Sequence, residues 1–234
     1  MQVVILAGGL GTRLRPLTNR LPKVLVRVQG KPFLQYQLSW LARHGLRDVV
    51  LCVGHRAAQI QAFAKDGRAF GMRIAYAQEG RRLLGTAGAL KHAAALLDER
   101  FCVLNGDSYL PINPMEPITY FLRRDLTALM VAFKNRGRYG RSNAKVRGGF
   151  VTLYTRQGRV PGLDTIDYGL RIFRKSVLRL IPSKTFCDMD TLYERLIARD
   201  ALASYMVAEP FYEVGAPPGL ARFERYVERT GLAR

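Results

Sequence analysis

The sequence predicts an α/β fold, a mostly parallel sheet with helices packed on both faces. Two observations predict it. Short apolar, β-branched runs alternate with amphipathic helical stretches along all 234 residues. Several of those runs are apolar without interruption, the pattern of strands buried on both faces.

The elements follow in order. Residues 2–6 (Gln-Val-Val-Ile-Leu) read as the first strand. Helix 32–44 carries Pro32 in its first turn, and Phe33, Leu34, Tyr36, Gln37, Leu38, Trp40 and Leu41 give it a broad apolar face. Trp40 belongs to the core on this reading. Strand 48–53, helix 57–65 and strand 72–76 come next, then helix 86–97, which Thr86 could cap. Strand 101–104, helix 115–124 and strand 128–133 continue the alternation. Turn residues crowd 136–149 and 156–162, which suggests a hairpin or a flexible excursion. Strand 168–173, helices 175–180 and 190–199, strand 203–207 and helix 217–228 complete the chain. Leu220, Phe223, Tyr226 and Val227 of the last helix suit either a core or a homodimer interface. No linker, repeat or low-complexity tract divides the chain, so 1–234 reads as a single domain.

Composition narrows the function. Hydrophobic residues make up 48%, too many for a disordered basic tail. No apolar run reaches the roughly 18 residues of a membrane helix. No basic leader precedes the first strand, so a cytoplasmic, reduced protein is expected. Its three cysteines are odd in number, and Cys52 and Cys102 sit in strand-like runs as buried thiols rather than in a disulfide framework.

The charge is unusual. The chain has 37 Lys and Arg against 18 Asp and Glu, a net +19. Two zones contain no acid: 1–47 with eight basic residues, and 126–163 with eight more. The remainder is nearly balanced. Arg outnumbers Lys 29 to 8, as a GC-rich genome would produce, yet base composition alone would not empty two zones of acid. A field facing nucleic acid, an anionic surface or phosphorylated small molecules is the alternative.

The first strand runs into Leu6-Ala7-Gly8-Gly9-Leu10-Gly11-Thr12-Arg13-Leu14-Arg15-Pro16-Leu17-Thr18, followed by Pro22-Lys23. Such a loop after a strand aims successive N–H groups at phosphate oxygens. Arg13 adds a forked donor and Lys23 a point charge. The loop is neither the dinucleotide fingerprint nor a P-loop, because Leu14 stands where the first wants a small residue and no Gly-Lys-Ser/Thr closes the second.

These residues resemble the sugar nucleotidyltransferases, or nucleotide-sugar pyrophosphorylases. Residues 6–18 and 22–23 match that family's signature, and Gly30-Lys31-Pro32 and Leu84-Gly85-Thr86-Ala87-Gly88-Ala89-Leu90 match two further segments. The resemblance implies a Rossmann-like three-layer α/β/α sandwich with a mixed, mostly parallel sheet. It implies a nucleotide-binding half at 1–110 and a sugar-phosphate-binding half at 111–234. Leu6, Ala7, Gly8, Gly9, Gly11, Thr12, Arg13 and Lys23 would hold the triphosphate. Glu79, Gly85, Thr86, Ala87 and Gly106 would complete the nucleotide site, with Gln78 beside Glu79 as a reader of the base. Asp107, in Leu104-Asn105-Gly106-Asp107, would ligate Mg²⁺, at the strand end where open α/β sheets bind ligands. Relatives place an Asp as the second ligand, and here Glu213 stands in its place.

The resemblance thins over 126–165. Relatives carry an acid-Lys pair that contacts the sugar phosphate, and Arg156 stands in the comparable stretch. Asn143, Asp167, Tyr168 and Gly169 fall where relatives shape the sugar pocket. Arg13, Lys23 and Asp107 are the expected catalytic residues. The implied substrates are an NTP, with GTP favoured, and a sugar 1-phosphate, with heptose first, mannose second and UTP, CTP or dTTP enzymes sharing the skeleton. The attacking phosphate is already an anion and needs no general base, so the scattered His44, His55 and His92 read as structural. Two other classes stand beside this reading: a nucleic-acid-binding protein and a regulatory subunit without turnover. Most basic residues lie in loops rather than along one helix, which argues against nucleic acid, and intact Arg13, Lys23 and Asp107 argue against the second.

Overall fold

The computed structural model describes residues 1–80, 82–135, 137–156 and 160–233. Nine strands form its main sheet: β1 Gln2–Leu6, β2 Asp48–Val53, β3 Arg73–Gln78, β4 Arg100–Asn105, β5 Ala128–Lys134, β6 Ala144–Arg147, β7 Phe150–Tyr154, β8 Thr165–Arg174 and β9 Leu202–Val207. Their order across the sheet is β3-β2-β1-β4-β8-β5-β9-β7-β6. The pairs β1–β2, β1–β4, β2–β3 and β5–β9 are parallel. β8 runs antiparallel to both β4 and β5. The sheet is therefore mixed, as expected, but not mostly parallel: among the described residues β6–β7, β6–β8 and β7–β9 are antiparallel too, because β8 enters reversed between β4 and β5 and a hairpin closes the far edge.

Six helices cover it: α1 Phe33–Arg43, α2 Ala57–Ala64, α3 Gly85–His92, α4 Met115–Arg123, α5 Met189–Ile197 and α6 Pro217–Thr230. β1 shows how both faces are used. Val3 and Ile5 join the apolar cluster that holds α1, α2, α4 and α6, while Val4 joins the cluster that holds α3 and α5. Alternate side chains of a strand point to opposite faces, so a continuously apolar strand serves two cores.

The last helix belongs to the core. Phe223 and Val227 are fully buried, and the Phe223 ring lies 5.2 Å from Phe33, 5.4 Å from Tyr36 and 5.0 Å from Tyr109. Trp40 is buried and donates its indole N–H to the Ile112 carbonyl at 3.1 Å. Cys52, Cys102 and Cys187 are free and buried.

Two expected elements differ and a third is settled. Residues 175–180 form a 3₁₀ helix, capped by the Lys175 N–H to the Glu99 carbonyl. The helix at 86–97 breaks after His92 and resumes as a 3₁₀ turn at Ala94–Leu96. The turn-dense segment builds the hairpin that its turn residues suggest, strands β6 and β7 turned by Gly148 and Gly149 at φ 57° and 82°. Arg136 and Arg159 of the second acid-free zone lie outside the described residues.

Candidate functional site

A cleft of about 610 Å³ opens where the chain leaves the carboxyl ends of β1 and β4. Leu6, Ala7, Gly8 and Gly9 line it directly, as does Gly106. Gly106 is required for the two strand ends to meet. Its N–H donates to the Leu6 carbonyl at 3.1 Å, and a Cβ there would sit 2.5 Å from the same oxygen. Gly11 and Thr12 do not line the cleft. They open a 3₁₀ turn, Thr12–Leu14, in which buried Leu14 anchors one side and exposed Arg13 faces the cleft on the other.

Four charged side chains converge at the mouth of this loop. Lys23 Nζ donates to Asp107 Oδ2, and Arg13 NH2 donates to Glu213 Oε1 at 3.2 Å. A two-stranded ladder fixes the carboxylates next to each other. Ser108–Tyr109 pairs antiparallel with Tyr212–Glu213, and the Val214 N–H donates to the Asp107 carbonyl at 2.7 Å. The empty side-chain position of Gly215 marks the point of convergence: a Cβ there would lie 2.4 Å from Glu213 Oε1, 3.0 Å from Arg13 NH2 and 3.2 Å from Lys23 Nζ. Residues separated by nearly the whole chain thus meet at one point.

The second glycine loop is held from outside. Gly85 has φ 76°, and a Cβ on it would strike the Cys187 carbonyl at 2.6 Å. That carbonyl accepts the N–H groups of Ala87 and Gly88 at 3.0 and 2.9 Å. Asp188 Oδ1 accepts the Thr86 N–H at 3.3 Å, while Thr86 Oγ1 accepts the Met189 N–H at 2.8 Å. Thr86 therefore caps α5 rather than its own helix, and the segment before α5 is fastened to the loop. Gly85 and Thr86 line the cleft; Ala87 is fully buried outside it.

Glu79 also lines the cleft and is mostly buried. Burial pushes its carboxyl above the usual range, opposed by the Leu84 N–H at 3.4 Å and by His92. Gln78 points elsewhere: its side-chain oxygen accepts Gln61 Nε2 at 3.3 Å. His92 pairs with the Gln78 carbonyl and His44 with that of Trp40, both structural contacts.

The remaining wall comes from β5–β8 and their loops. Asp167 and Arg171 form an ion pair at 2.5 Å, each side chain 3% exposed. Arg171 also donates to Asn105 Oδ1 at 2.5 Å and to the Tyr193 hydroxyl, and that hydroxyl donates to Asp167 Oδ2 at 2.9 Å. Burial would lower the Arg171 pKa, but Asp167 and Tyr193 overcome it and hold the group above the usual arginine value. Asn143 Oδ1 accepts the Asp167 N–H at 2.9 Å. Burial and Asp167 push the Tyr154 phenol up to about 12.

The expected sugar-side residues are placed unevenly. Asn143, Arg156 and Asp167 line the cleft. Tyr168 does not, because alternation along β8 turns it to the opposite face, where it is fully buried with its ring 5.4 Å from Phe211. Gly169 lies behind the wall, against Ser108 and Asn105. Arg156 is engaged by Asp190 at 3.0 Å and by the Tyr154 hydroxyl at 3.4 Å.

Asn105, Ser108, Tyr139, Gly140, Arg171, Phe186 and Asp188 also line the cleft without having stood out as site residues in the sequence, and Arg141 of the second acid-free zone lines it with them. One signal was available. Asp167 and Arg171 are the charged residues inside a strand whose first nine residues are buried, and their spacing of four puts them on one face.

Taken together, the fold and this site define an α/β protein with a glycine-lined cleft in which two cations meet an adjacent pair of carboxylates. Residues 2–151 match the nucleotidyl transferase family, and the chain belongs to that family. It is 30% identical to the UTP--glucose-1-phosphate uridylyltransferase of Synechocystis over 84% of this chain and 55% of that protein, so it spans about half the length of that relative. It is 29% identical to the D-glycero-alpha-D-manno-heptose 1-phosphate guanylyltransferase of Campylobacter jejuni over 95% of this chain and 98% of that protein. The crystal structure of HddC from Yersinia pseudotuberculosis complexed with GMP-PN superposes with a TM-score of 0.80 at 25% identity, covering 96% of this chain and 98% of that one. Among the described residues no helix is long and apolar enough to cross a membrane.

Proposed function

We propose that the protein is a sugar-1-phosphate nucleotidyltransferase. A phosphate oxygen of the sugar 1-phosphate attacks the α-phosphorus of an NTP, and pyrophosphate leaves from the opposite side. The convergence of Arg13, Lys23, Asp107 and Glu213 beside the glycine loop carries this reading. The barrier lies in bringing two polyanions together and in charge gathered on the phosphoryl oxygens, so positioning and fixed cations supply the catalysis. The loop N–H groups and Arg13 would hold the triphosphate, and Lys23 the α-phosphate. Releasing their present carboxylate partners frees both cations for the substrate.

Asp107 and Glu213 suit Mg²⁺. They are hard oxygen donors held side by side, and Mg²⁺ is commonly bound by one or two carboxylates together with substrate phosphates. No group of three or more His, Cys, Asp or Glu capable of holding a metal occurs among the described residues, so the substrate would complete the shell. The ion would act there as Lewis acid and template.

GTP and a heptose 1-phosphate are the substrates we favour, because the relative of matching length bears that name and the superposable HddC crystal carries GMP-PN. Mannose 1-phosphate with GTP is the second choice. UTP with a glucose 1-phosphate has its own support in the uridylyltransferase relative. Such substrates point to the cytoplasm as the site of action, and small polyanions rather than nucleic acid as the partners of the +19 charge. Pyrophosphate release over a panel of NTPs and sugar 1-phosphates with Mg²⁺ tests the reading. Turnover is expected with GTP, and no release with any pair would defeat it.

A further inference from the structure

We infer that Arg141 is the cation that binds the phosphate of the sugar 1-phosphate; this rests on the function proposed above. The second acid-free zone supplies the candidates, and the structure separates them. Lys134 is paired with Asp164, and Arg156 with Asp190. Arg138, Lys145 and Arg147 are absent from the cleft lining. Arg171 is buried and committed to Asp167, Asn105 and Tyr193. Arg141 lines the cleft, is exposed, and has no hydrogen bond or ion pair among the described residues.

An exposed arginine in a loop is ordinarily a solvated surface charge. Here the loop beneath it is built to stay in place. Asn135 is fully buried, and its side-chain amide makes three contacts with the loop: Nδ2 donates to the Gly140 carbonyl at 2.9 Å and to Ser142 Oγ at 3.1 Å, and Oδ1 accepts the Tyr139 N–H at 2.8 Å. On the far side the Asn143 N–H donates to the Thr165 carbonyl at 2.9 Å, and its side chain holds Asp167. Two asparagines therefore bracket Arg141 and present it, with Tyr139 and Gly140, to the cleft. Every other charged side chain in this wall has a partner: Asp167 has Arg171, Asp188 has the Thr86 N–H and hydroxyl, and Arg156 has Asp190. Among the described residues Arg141 is thus the charged side chain of this wall left without a partner, and a phosphate monoester would supply one. A guanidinium fork takes two phosphate oxygens at once.

Steady-state pyrophosphate release tests this, with the sugar 1-phosphate varied at saturating NTP and the converse. In Arg141→Ala the KM for the sugar 1-phosphate is expected to rise about tenfold or more while the KM for NTP stays within about twofold. Arg141→Lys keeps the charge and should recover part of the loss. An unchanged KM for the sugar 1-phosphate, or an equal rise in both constants, overturns the assignment. A thermal-shift titration with mannose 1-phosphate and glucose 1-phosphate alone reads the contact without turnover. The expected result is a shift in the wild type that Arg141→Ala loses; an equal shift in both proteins, or none in the wild type, overturns it. Absence of turnover in the wild type with every pair would instead defeat the proposed function, and the titration would still decide the contact.

Discussion

The two walls of the cleft are built on opposite principles. The wall made by β1 and β4 uses contiguous backbone: a run from Leu6 to Lys23 and the segment around Asp107 supply N–H groups, two cations and a carboxylate within short stretches. The wall made by β5–β8 uses scattered side chains locked by a buried network of Asp167, Arg171, Asn105 and Tyr193. A backbone loop recognises what every substrate of the class shares, a polyphosphate. A side-chain wall can be altered one residue at a time, which suits the part of the substrate that varies. Damage to the first wall should therefore stop the chemistry, and damage to the second should alter stability or substrate binding.

Asp107→Ala is the strongest test of that contrast. Removing the carboxylate leaves Lys23 without its partner and takes away half of the proposed Mg²⁺ site. Turnover should fall by at least about 10²–10³-fold, the scale of losing one transition-state contact. The fold should survive, because the ladder to residue 214 uses the Asp107 backbone carbonyl and not its side chain. Circular dichroism and a thermal midpoint close to wild type would accompany the loss. Near-normal turnover would sink the assignment of Asp107.

The same contrast explains what was legible beforehand. Gly8, Lys23 and Asp107 could be placed in one cleft from sequence because they sit in short contiguous motifs after strand ends, and local spacing survives in a linear chain. Residues 126–165 could not be read that way. Arg141 acquires its position from Asn135, and Arg156 loses its free charge to Asp190, facts of tertiary contact that spacing does not encode. The hairpin of β6 and β7 was signalled by its turn residues, but its strands are too short to be read from periodicity. Trp40, by contrast, followed from helical periodicity, because burial of an apolar face is a local property of an amphipathic helix, whereas periodicity left Phe223 open between core and interface.

Asp167→Asn should separate stability from catalysis in the second wall. It leaves Arg171, with a side chain 3% exposed, charged and without its carboxylate. Breaking one side of a buried pair typically costs about 3–5 kcal/mol. At roughly 2–4 °C per kcal/mol for a chain of this size, the thermal midpoint should drop by about 6–20 °C. Differential scanning calorimetry reads this directly. A drop of less than about 2 °C would mean that the network does not depend on its charge.

Glu79 gives the smallest expected effect and tests the one carboxylate of the first wall outside the four-charge cluster. Burial favours its neutral form, so it takes up a proton at a pH above the ordinary glutamate range. The ionised form accepts hydrogen bonds only, which suits the N–H edge of guanine; the protonated form offers one acceptor fewer. The KM for GTP should therefore rise as the pH falls through the raised Glu79 pKa, while kcat changes less. Glu79→Gln removes that titration. Its KM for GTP should sit a few-fold higher at neutral pH, consistent with one weakened hydrogen bond. The extra acid-side rise should then be absent relative to wild type. An identical pH profile in both proteins would show that Glu79 does not read the base, and specificity would then have to come from the backbone of the second glycine loop.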